Sequence, residues 1–227
     1  KKLIDFYISL GFDSIFLRPV NYMGFARKNF KELSNEIDRW NRFYEESIEY
    51  IIKLNESMYF EEFHFSLLLK NIVQFPNRGF VDFRSPSFFL QDYGVIDFDG
   101  KIYPSDEARM LSRTKHVDLS VGAIGDSLDT NKVNELNWSS INQVEPDCLH
   151  CVYMPFCGID IIDDMSRYNR VDSPKLDSWF CRRSMSTFDL IFKKIENRNV
   201  EWLDVFLKWI YHSNNPPKTY EIFYDSP

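Results

Sequence analysis

The sequence lacks an excess of positive charge, a long hydrophobic run and an export signal, and each absence excludes a class of protein. Its 227 residues carry 27 Lys and Arg against 34 Asp and Glu, so the net charge of −7 argues against nucleic acids and anionic membranes as partners. No apolar run reaches the roughly 18 residues that a membrane-spanning helix needs. The start of the chain has no small-residue cleavage site, so we expect a cytoplasmic protein.

Cysteine is also scarce, and its spacing is the strongest chemical signal in the chain. The pattern is C-x2-C-x5-C-x23-C, formed by Cys148, Cys151, Cys157 and Cys181. A disulfide-rich secreted domain would carry more cysteines and an export signal, whereas clustered thiols in a reducing compartment indicate a metal site. The C-x2-C turn directs two sulfurs at one metal, and the other two cysteines complete a set of four ligands.

Two kinds of centre accept four thiolates, namely zinc and an iron–sulfur cluster. Zinc sites usually pair two short C-x2-C or C-x-C hooks, and this sequence has one such hook. The spacing therefore favours the wider cage of a [4Fe–4S] cluster, with a four-cysteine zinc site as the alternative. His150 lies inside the hook and could replace a ligand, but we expect it to be a partly exposed loop residue.

The first residues predict one step of a parallel α/β unit. A helix over Lys2–Leu10 is expected to end at Gly11, and a strand over Ser14–Leu17 follows. Arg18 comes directly after that strand, at the end where residues of α/β barrels face the active site. Arg18 is therefore a candidate contact for an anion, a substrate or a cofactor, with a structural ion pair as the alternative.

The rest of the chain predicts a helix-rich structure with a β-hairpin over 94–104. Asp99-Gly100 indicates a two-residue turn with positive φ at both residues, and the incomplete acidic pattern around it argues against a calcium loop. Arg84, in the loop-like stretch 77–90, is a second candidate substrate or cofactor contact. Pro146 is expected to break a helix, and residues 213–227 to be loose. Helices are expected at 29–56, 60–73, 131–144, within 159–174, at 178–197 and at 200–212, with another opened by Ser105 as its N-cap.

Three stretches together resemble a known family. They read Asp99-Gly-Lys-Ile-Tyr-Pro-Ser105, Cys148-Leu-His-Cys-Val-Tyr-Met-Pro-Phe-Cys-Gly158 and Trp179-Phe-Cys181. This arrangement resembles the C-terminal half of radical S-adenosylmethionine (SAM) enzymes that carry a SPASM domain and modify peptides. Residues 11–19 and 103–111 further resemble the radical SAM maturases of His-Xaa-Ser peptide-modification systems.

The resemblance implies a fold that combines α/β and α+β parts. Residues 1–56 would be the C-terminal end of a partial (β/α) barrel, 57–140 a bridging region with the hairpin, and 141–227 a SPASM-like iron–sulfur domain with C-terminal helices. A full SPASM domain holds two clusters. Ser105 and Ile161 stand where the family has cysteines of one cluster, while the four cysteines of this chain match the ligands of the other.

The resemblance also implies a function. The retained [4Fe–4S] cluster would be auxiliary, serving electron transfer or substrate positioning in an enzyme that also uses SAM and a second [4Fe–4S] cluster. The C-x3-C-x2-C motif of that second cluster is absent and the chain starts with lysine, so we expect a piece of a longer protein that does not cleave SAM alone. The implied partners are a precursor peptide and a paired maturase. The alternatives are a structural or peptide-binding zinc module, and a relative that binds a leader peptide without chemistry.

Overall fold

The structure is a computed structural model that describes residues 1–29, 36–74 and 88–224. Helices and short strands are mixed, and none of the helices in these ranges is long and apolar enough to cross a bilayer. The helices are α1 (Lys2–Ser9), α2 (Glu36–Leu54), α3 (Phe63–Val73), α4 (Asp106–Arg113), α5 (Thr130–Ser139), α6 (Pro146–Leu149), α7 (Ile161–Tyr168), α8 (Trp179–Glu196) and α9 (Val200–Tyr211). The strands are β1 (Ser14–Ile15), β2 (Glu61–Glu62), β3 (Val95–Ile96), β4 (Lys101–Tyr103) and β5 (Gly122–Ala123).

The chain packs as two compact units, and the first contains both ends of the sequence. The first unit comprises Lys1–Pro19, Ser34–Phe80 and Arg183–Pro227, and the second comprises Val20–Leu33 and Val81–Arg182. This division follows packing, whereas the three segments expected from the sequence follow chain order and remain a prediction.

The first unit contains the expected parallel α/β step. Strands β1 and β2 pair in parallel, with Ser14 opposite Glu61 and Ile15 opposite Glu62, and α2 forms the connection between them. Helix α1 ends before Gly11, whose φ of 82° is the left-handed conformation that glycine adopts at little cost. Both strands end at the same edge, so Arg18 after β1 and Glu62 at the end of β2 belong to one side of this sheet.

The core of the first unit lies between α3 and α9. The Phe65 ring packs 5.6 Å from that of Phe206 and 5.8 Å from that of Trp209. The Trp209 indole N–H is satisfied, because it donates to the carbonyl oxygen of Phe60 at 3.1 Å. The expectation of a loose chain end is wrong for 220–223, where a 3-10 turn buries Phe223 against Phe206.

The second unit contains the expected hairpin, with a different turn. Strand β3 pairs antiparallel with β4, which pairs with β5. The predicted two-residue turn is wrong: Gly100 has a φ of 81° but Asp99 does not have positive φ, and the Gly100 N–H donates to Asp97 O at 2.9 Å. The loop is therefore a three-residue type with glycine at its last position. The Asp97 carboxylate accepts from Arg113 Nε at 2.6 Å, which ties the hairpin to α4 and accounts for this acid without calcium.

The core of the second unit joins α4 to α7. Ala108, Leu111 and Ile161 are fully buried within it, together with Val121 next to β5. Ser105 begins α4 as predicted, since its hydroxyl accepts from the Ala108 N–H at 3.1 Å. The helix predicted over 131–144 ends earlier, at Ser139, so Pro146 is not the residue that breaks it. Pro146 begins α6, where its missing N–H costs nothing.

Candidate metal centre

The C-x2-C hook is a tight turn that starts within α6, at Cys148, and ends just after it, at Cys151. The Cys148 N–H donates to Glu145 O at 3.0 Å, and the Cys151 N–H donates to Cys148 O at the same distance. Both side chains are partly buried, as the tight turn predicts for a pair of ligands. His150, which ends this helix, is exposed, so the expectation for it is confirmed.

The far end of the loop is held by one buried amide. Asn142 is 1% exposed, and its Nδ2 donates to Met154 O at 3.0 Å and to Cys157 O at 2.8 Å. These two bonds fix the backbone on both sides of Phe156, and with it the position of the third cysteine. The sequence analysis did not identify Asn142, because nothing local distinguishes it from other amides in helix-ending turns.

The fourth cysteine enters from a different part of the chain. Cys181 lies in the first turn of α8, where its N–H donates to the hydroxyl of the capping Ser178 at 3.1 Å. The preceding Trp179 N–H donates to the Tyr168 hydroxyl at 2.9 Å. A thiolate at this place is favoured by the positive end of the helix dipole.

A carboxylate links the two cysteine-bearing segments. Asp147, next to Cys148, accepts from the backbone N–H of Lys175 at 2.7 Å and from that of Leu176 at 3.4 Å. The segment 175–177 leads directly into α8. This link therefore brings the start of α8 to the C-x2-C turn.

A buried ion pair lies beside this link. Lys175 Nζ donates to Asp164 Oδ2 at 2.6 Å and to Val171 O at 2.7 Å, and the two charged side chains are 4% and 2% exposed. Burial raises the pKa of Asp164, while the lysine opposes that rise. Lys175 also counters the rise in the pKa of Cys148 and Cys181. The sequence carried no local signal for this pair.

The cysteine thiols influence one another electrostatically. Burial, followed by the neighbouring cysteines, raises the pKa of Cys148 and of Cys157 to about 12. Burial and then Cys151 raise the pKa of Cys181 to about 11. All four predicted ligands therefore lie in one neighbourhood of the second unit. Since thiolates close to one another without a cation repel, the metal-free chain keeps Cys148, Cys157 and Cys181 protonated.

Proximity of the thiols is not the same as ligand geometry. Among the residues that the structure describes, no group of three or more His, Cys, Asp or Glu side chains is arranged to hold a metal ion. The mutual effect on the pKa values shows that the thiols are neighbours, but protonated thiols carry no charge that draws them to a common point. Hydrogen bonds to the backbone fix this neighbourhood.

The aromatic residues next to the cysteines in the sequence are buried to different extents. Trp179 is 8% exposed, and the Arg167 guanidinium lies 4.4 Å from its ring centre. Tyr153 and Phe156 are partly buried, whereas Val152 is largely exposed. One side of the loop is therefore covered and the C-x2-C side is open.

The other two candidate residues are not part of this neighbourhood. Arg18 belongs to the first unit, is exposed, and lies with its guanidinium 5.0 Å from the Phe16 ring centre. Arg84 lies outside the described residues. A role of either in substrate or cofactor contact stays a prediction.

The sheet edge that carries Arg18 also holds a buried acid that the sequence analysis missed. Glu62 accepts from the Tyr44 hydroxyl at 2.7 Å and from the Leu17 N–H at 2.9 Å. Burial raises the pKa of Glu62 to about 7 despite these bonds. Burial, then Arg183 and Arg18, lower the pKa of the adjacent His64 to about 3. The one feature of the sequence that could have indicated this buried acid is the pair Glu61 and Glu62 in a short strand.

Comparison with known proteins gives no relative. No family model matches the chain, and no curated protein or solved structure is significantly similar to it.

Proposed function

We propose that Cys148, Cys151, Cys157 and Cys181 hold an auxiliary [4Fe–4S] cluster. The parent enzyme is of the radical SAM type and modifies a ribosomally made peptide. The observation that carries the proposal is the gathering of four partly buried thiols from the hook, the loop end and the first turn of α8 into one neighbourhood. Packing alone gives no reason to collect four groups that repel one another when ionised.

The residues present fit such a group by their donor chemistry. Thiolate sulfur is the ligand that iron–sulfur clusters take, and four thiolates complete the set. The protons on Cys148, Cys157 and Cys181 leave when a cation replaces them, so binding stabilises the fold at that place. When bound, the cluster supplies one-electron chemistry, while the chain positions the sulfurs and shields one side of the site from water.

Two positions support a site for one cluster rather than two. Ser105 and Ile161 stand where the resembling family has cysteines of another cluster. In this chain Ser105 caps α4, and Ile161 is 1% exposed in the core of the second unit. Both positions therefore have structural roles, and neither supplies a thiolate. With four cysteine ligands the proposed cluster has no open corner, so electron transfer or positioning of the peptide suits it better than direct binding of substrate.

The partners and the compartment follow from the same proposal. The substrate is a precursor peptide, a paired maturase acts with the enzyme, and SAM with its own [4Fe–4S] cluster binds in a parent that resembles the radical SAM maturases of His-Xaa-Ser systems. Four cysteines that are free of disulfides suit the reducing cytoplasm.

Metal and sulfide analysis of protein purified and reconstituted without oxygen tests the proposal. We expect about four irons and four sulfides per chain, with broad visible absorption. Cys157→Ala should lose both, while His150→Ala, a change at an exposed residue of the same loop, should retain both. One zinc without sulfide would contradict the proposal and favour the alternative, a structural or peptide-binding module built on a four-cysteine zinc site.

A further inference from the structure

Helix α3, the end of α9 and strand β2 bring an amine, an imidazole and a carboxylate together in the first unit. Lys70 Nζ lies 2.6 Å from His212 Nε2, although the two residues are 142 positions apart. The other ring nitrogen, Nδ1 of His212, lies 3.3 Å from Glu61 Oε2. The direct distance from Lys70 Nζ to Glu61 Oε1 is 3.9 Å, so the imidazole is the closer partner of the amine.

The hydrogen bonds in this arrangement determine the tautomer of the ring. Lys70 Nζ is a donor, so His212 Nε2 faces it with its lone pair and the ring proton lies on Nδ1. The Nδ1 side of the ring lies 3.3 Å from Glu61 Oε2, with the Tyr59 hydroxyl 3.5 Å from the same nitrogen. Glu61 is itself fixed, because it accepts from Tyr59 at 2.8 Å and from the Ser66 hydroxyl. A nucleophile next to a base that a third group orients is the general arrangement of an activated nucleophile.

The backbone and the exposure of these residues also differ from those of an ordinary ion pair. His212 ends α9 with a φ of 47°, a left-handed conformation that histidine adopts only at a cost. Glu61 is 6% exposed and Lys70 13%, whereas the His212 side chain is 59% exposed. The acid and the amine are therefore largely enclosed, while the imidazole between them and the solvent is exposed. Burial lowers the pKa of Lys70, with Glu61 opposing that effect.

We propose that Lys70 is a reactive amine that forms a Schiff base with a small uncharged aldehyde, with His212 as its base and Glu61 as the residue that positions the ring. An uncharged aldehyde fits better than an oxo acid, because the carboxylate of Glu61 repels a second anion at this distance. The site lies in the first unit and is independent of the cysteine centre in the second.

The reaction balances without an oxidant or a reductant. The lone pair of neutral Lys70 Nζ forms a C–N bond to the carbonyl carbon, and His212 Nε2 takes one proton from nitrogen. The ring returns that proton to the carbinolamine oxygen, the C–O bond breaks, and water leaves with the second N–H hydrogen. The products are an imine and one water molecule.

Competitive labelling of the lysines within one chain tests the proposal. The full chain is treated with propanal and sodium cyanoborohydride at pH 7, and the rate of alkylation at each lysine is followed by peptide mass spectrometry. Lys53, exposed in the last turn of α2, is the internal reference. We expect Lys70 to be labelled faster than Lys53, because the lowered pKa of its amine leaves more of it neutral and His212 accepts a proton from it. Labelling of Lys70 at or below the rate of Lys53 would overturn the proposal.

A variant at His212 distinguishes the effect of this base on the reactivity of Lys70 from the effect of burial alone. His212→Asn removes the imidazole and keeps a residue that adopts the left-handed conformation readily, so the end of α9 is preserved. We expect the labelling of Lys70 to fall toward the rate of Lys53 in this variant. An unchanged Lys70 rate would refute the role of His212. The comparison in the unaltered chain decides the first point whether or not the variant folds.

Discussion

Removal of the Asn142 amide should loosen the third cysteine selectively. Asn142→Ala deletes two hydrogen bonds, to Met154 O and Cys157 O, and leaves those carbonyls without their donor. The Oδ1 atom has no partner among the described residues, so the two N–H groups carry the polar contribution of this side chain. At about 0.5–1.5 kcal/mol for each bond, the expected loss is about 1–3 kcal/mol.

That loss has a measurable consequence at Cys157. If the loop opens before Cys157 reacts, a loss of about 1–3 kcal/mol makes the open form about 5 to 150 times more populated. Alkylation of Cys157 by iodoacetamide in the metal-free chain, mapped by mass spectrometry, should accelerate by that factor. The urea midpoint of the variant should also fall.

The matched control is the adjacent residue. Gln143 is exposed, so Gln143→Ala should change neither quantity measurably. Equal alkylation rates of Cys157 and equal urea midpoints in the two variants would refute the argument that Asn142 fixes the loop.

Three other changes test separate parts of the structure. Glu62 has a folded pKa of about 7, above its ordinary 4.5, so the native state binds the extra proton and stability should fall by about 3 kcal/mol as pH rises from 4.5 to 7. Urea unfolding at several pH values should show this loss of stability in the unaltered chain and not in Glu62→Gln. Parallel pH profiles of the two proteins would contradict the prediction. Asp164→Asn leaves Lys175 charged and buried, so thermal or urea unfolding should show a loss of about 3–5 kcal/mol. Asp172→Asn, in the exposed pair with Arg170, should leave the unfolding midpoint nearly unchanged, and similar losses in both variants would argue against a buried pair. The methyl group of Gly100→Ala meets no atom within 4 Å, but the residue must adopt positive φ, so this variant should cost about 1–2 kcal/mol. The stability of Gly100→Asn should lie between those of Gly100→Ala and the unaltered chain. An unchanged melting temperature in Gly100→Ala would contradict the turn geometry.

Local signals in the sequence predicted most of the helices in the described ranges. The capping serine of α4 and the amphipathic stretches that became α8 and α9 depend on neighbours within a few positions, so their form follows from the residues themselves. The hairpin was predicted in its place but not in its turn type. The same Asp-Gly pair fits both turns, and the pairing register of β3 and β4 selects between them.

The sequence by itself determined that four cysteines with one hook are the chemical feature of this chain. It did not show how Cys181 reaches the hook, because that depends on a carboxylate at 147 that binds backbone N–H groups 28 and 29 positions later. The burial of Glu62 and the contact between Lys70 and His212 likewise depend on packing between residues that are far apart in the sequence. Propensity, capping and spacing act within a few residues. The burial of a charge and the partner it finds are set only when the two units have formed their cores.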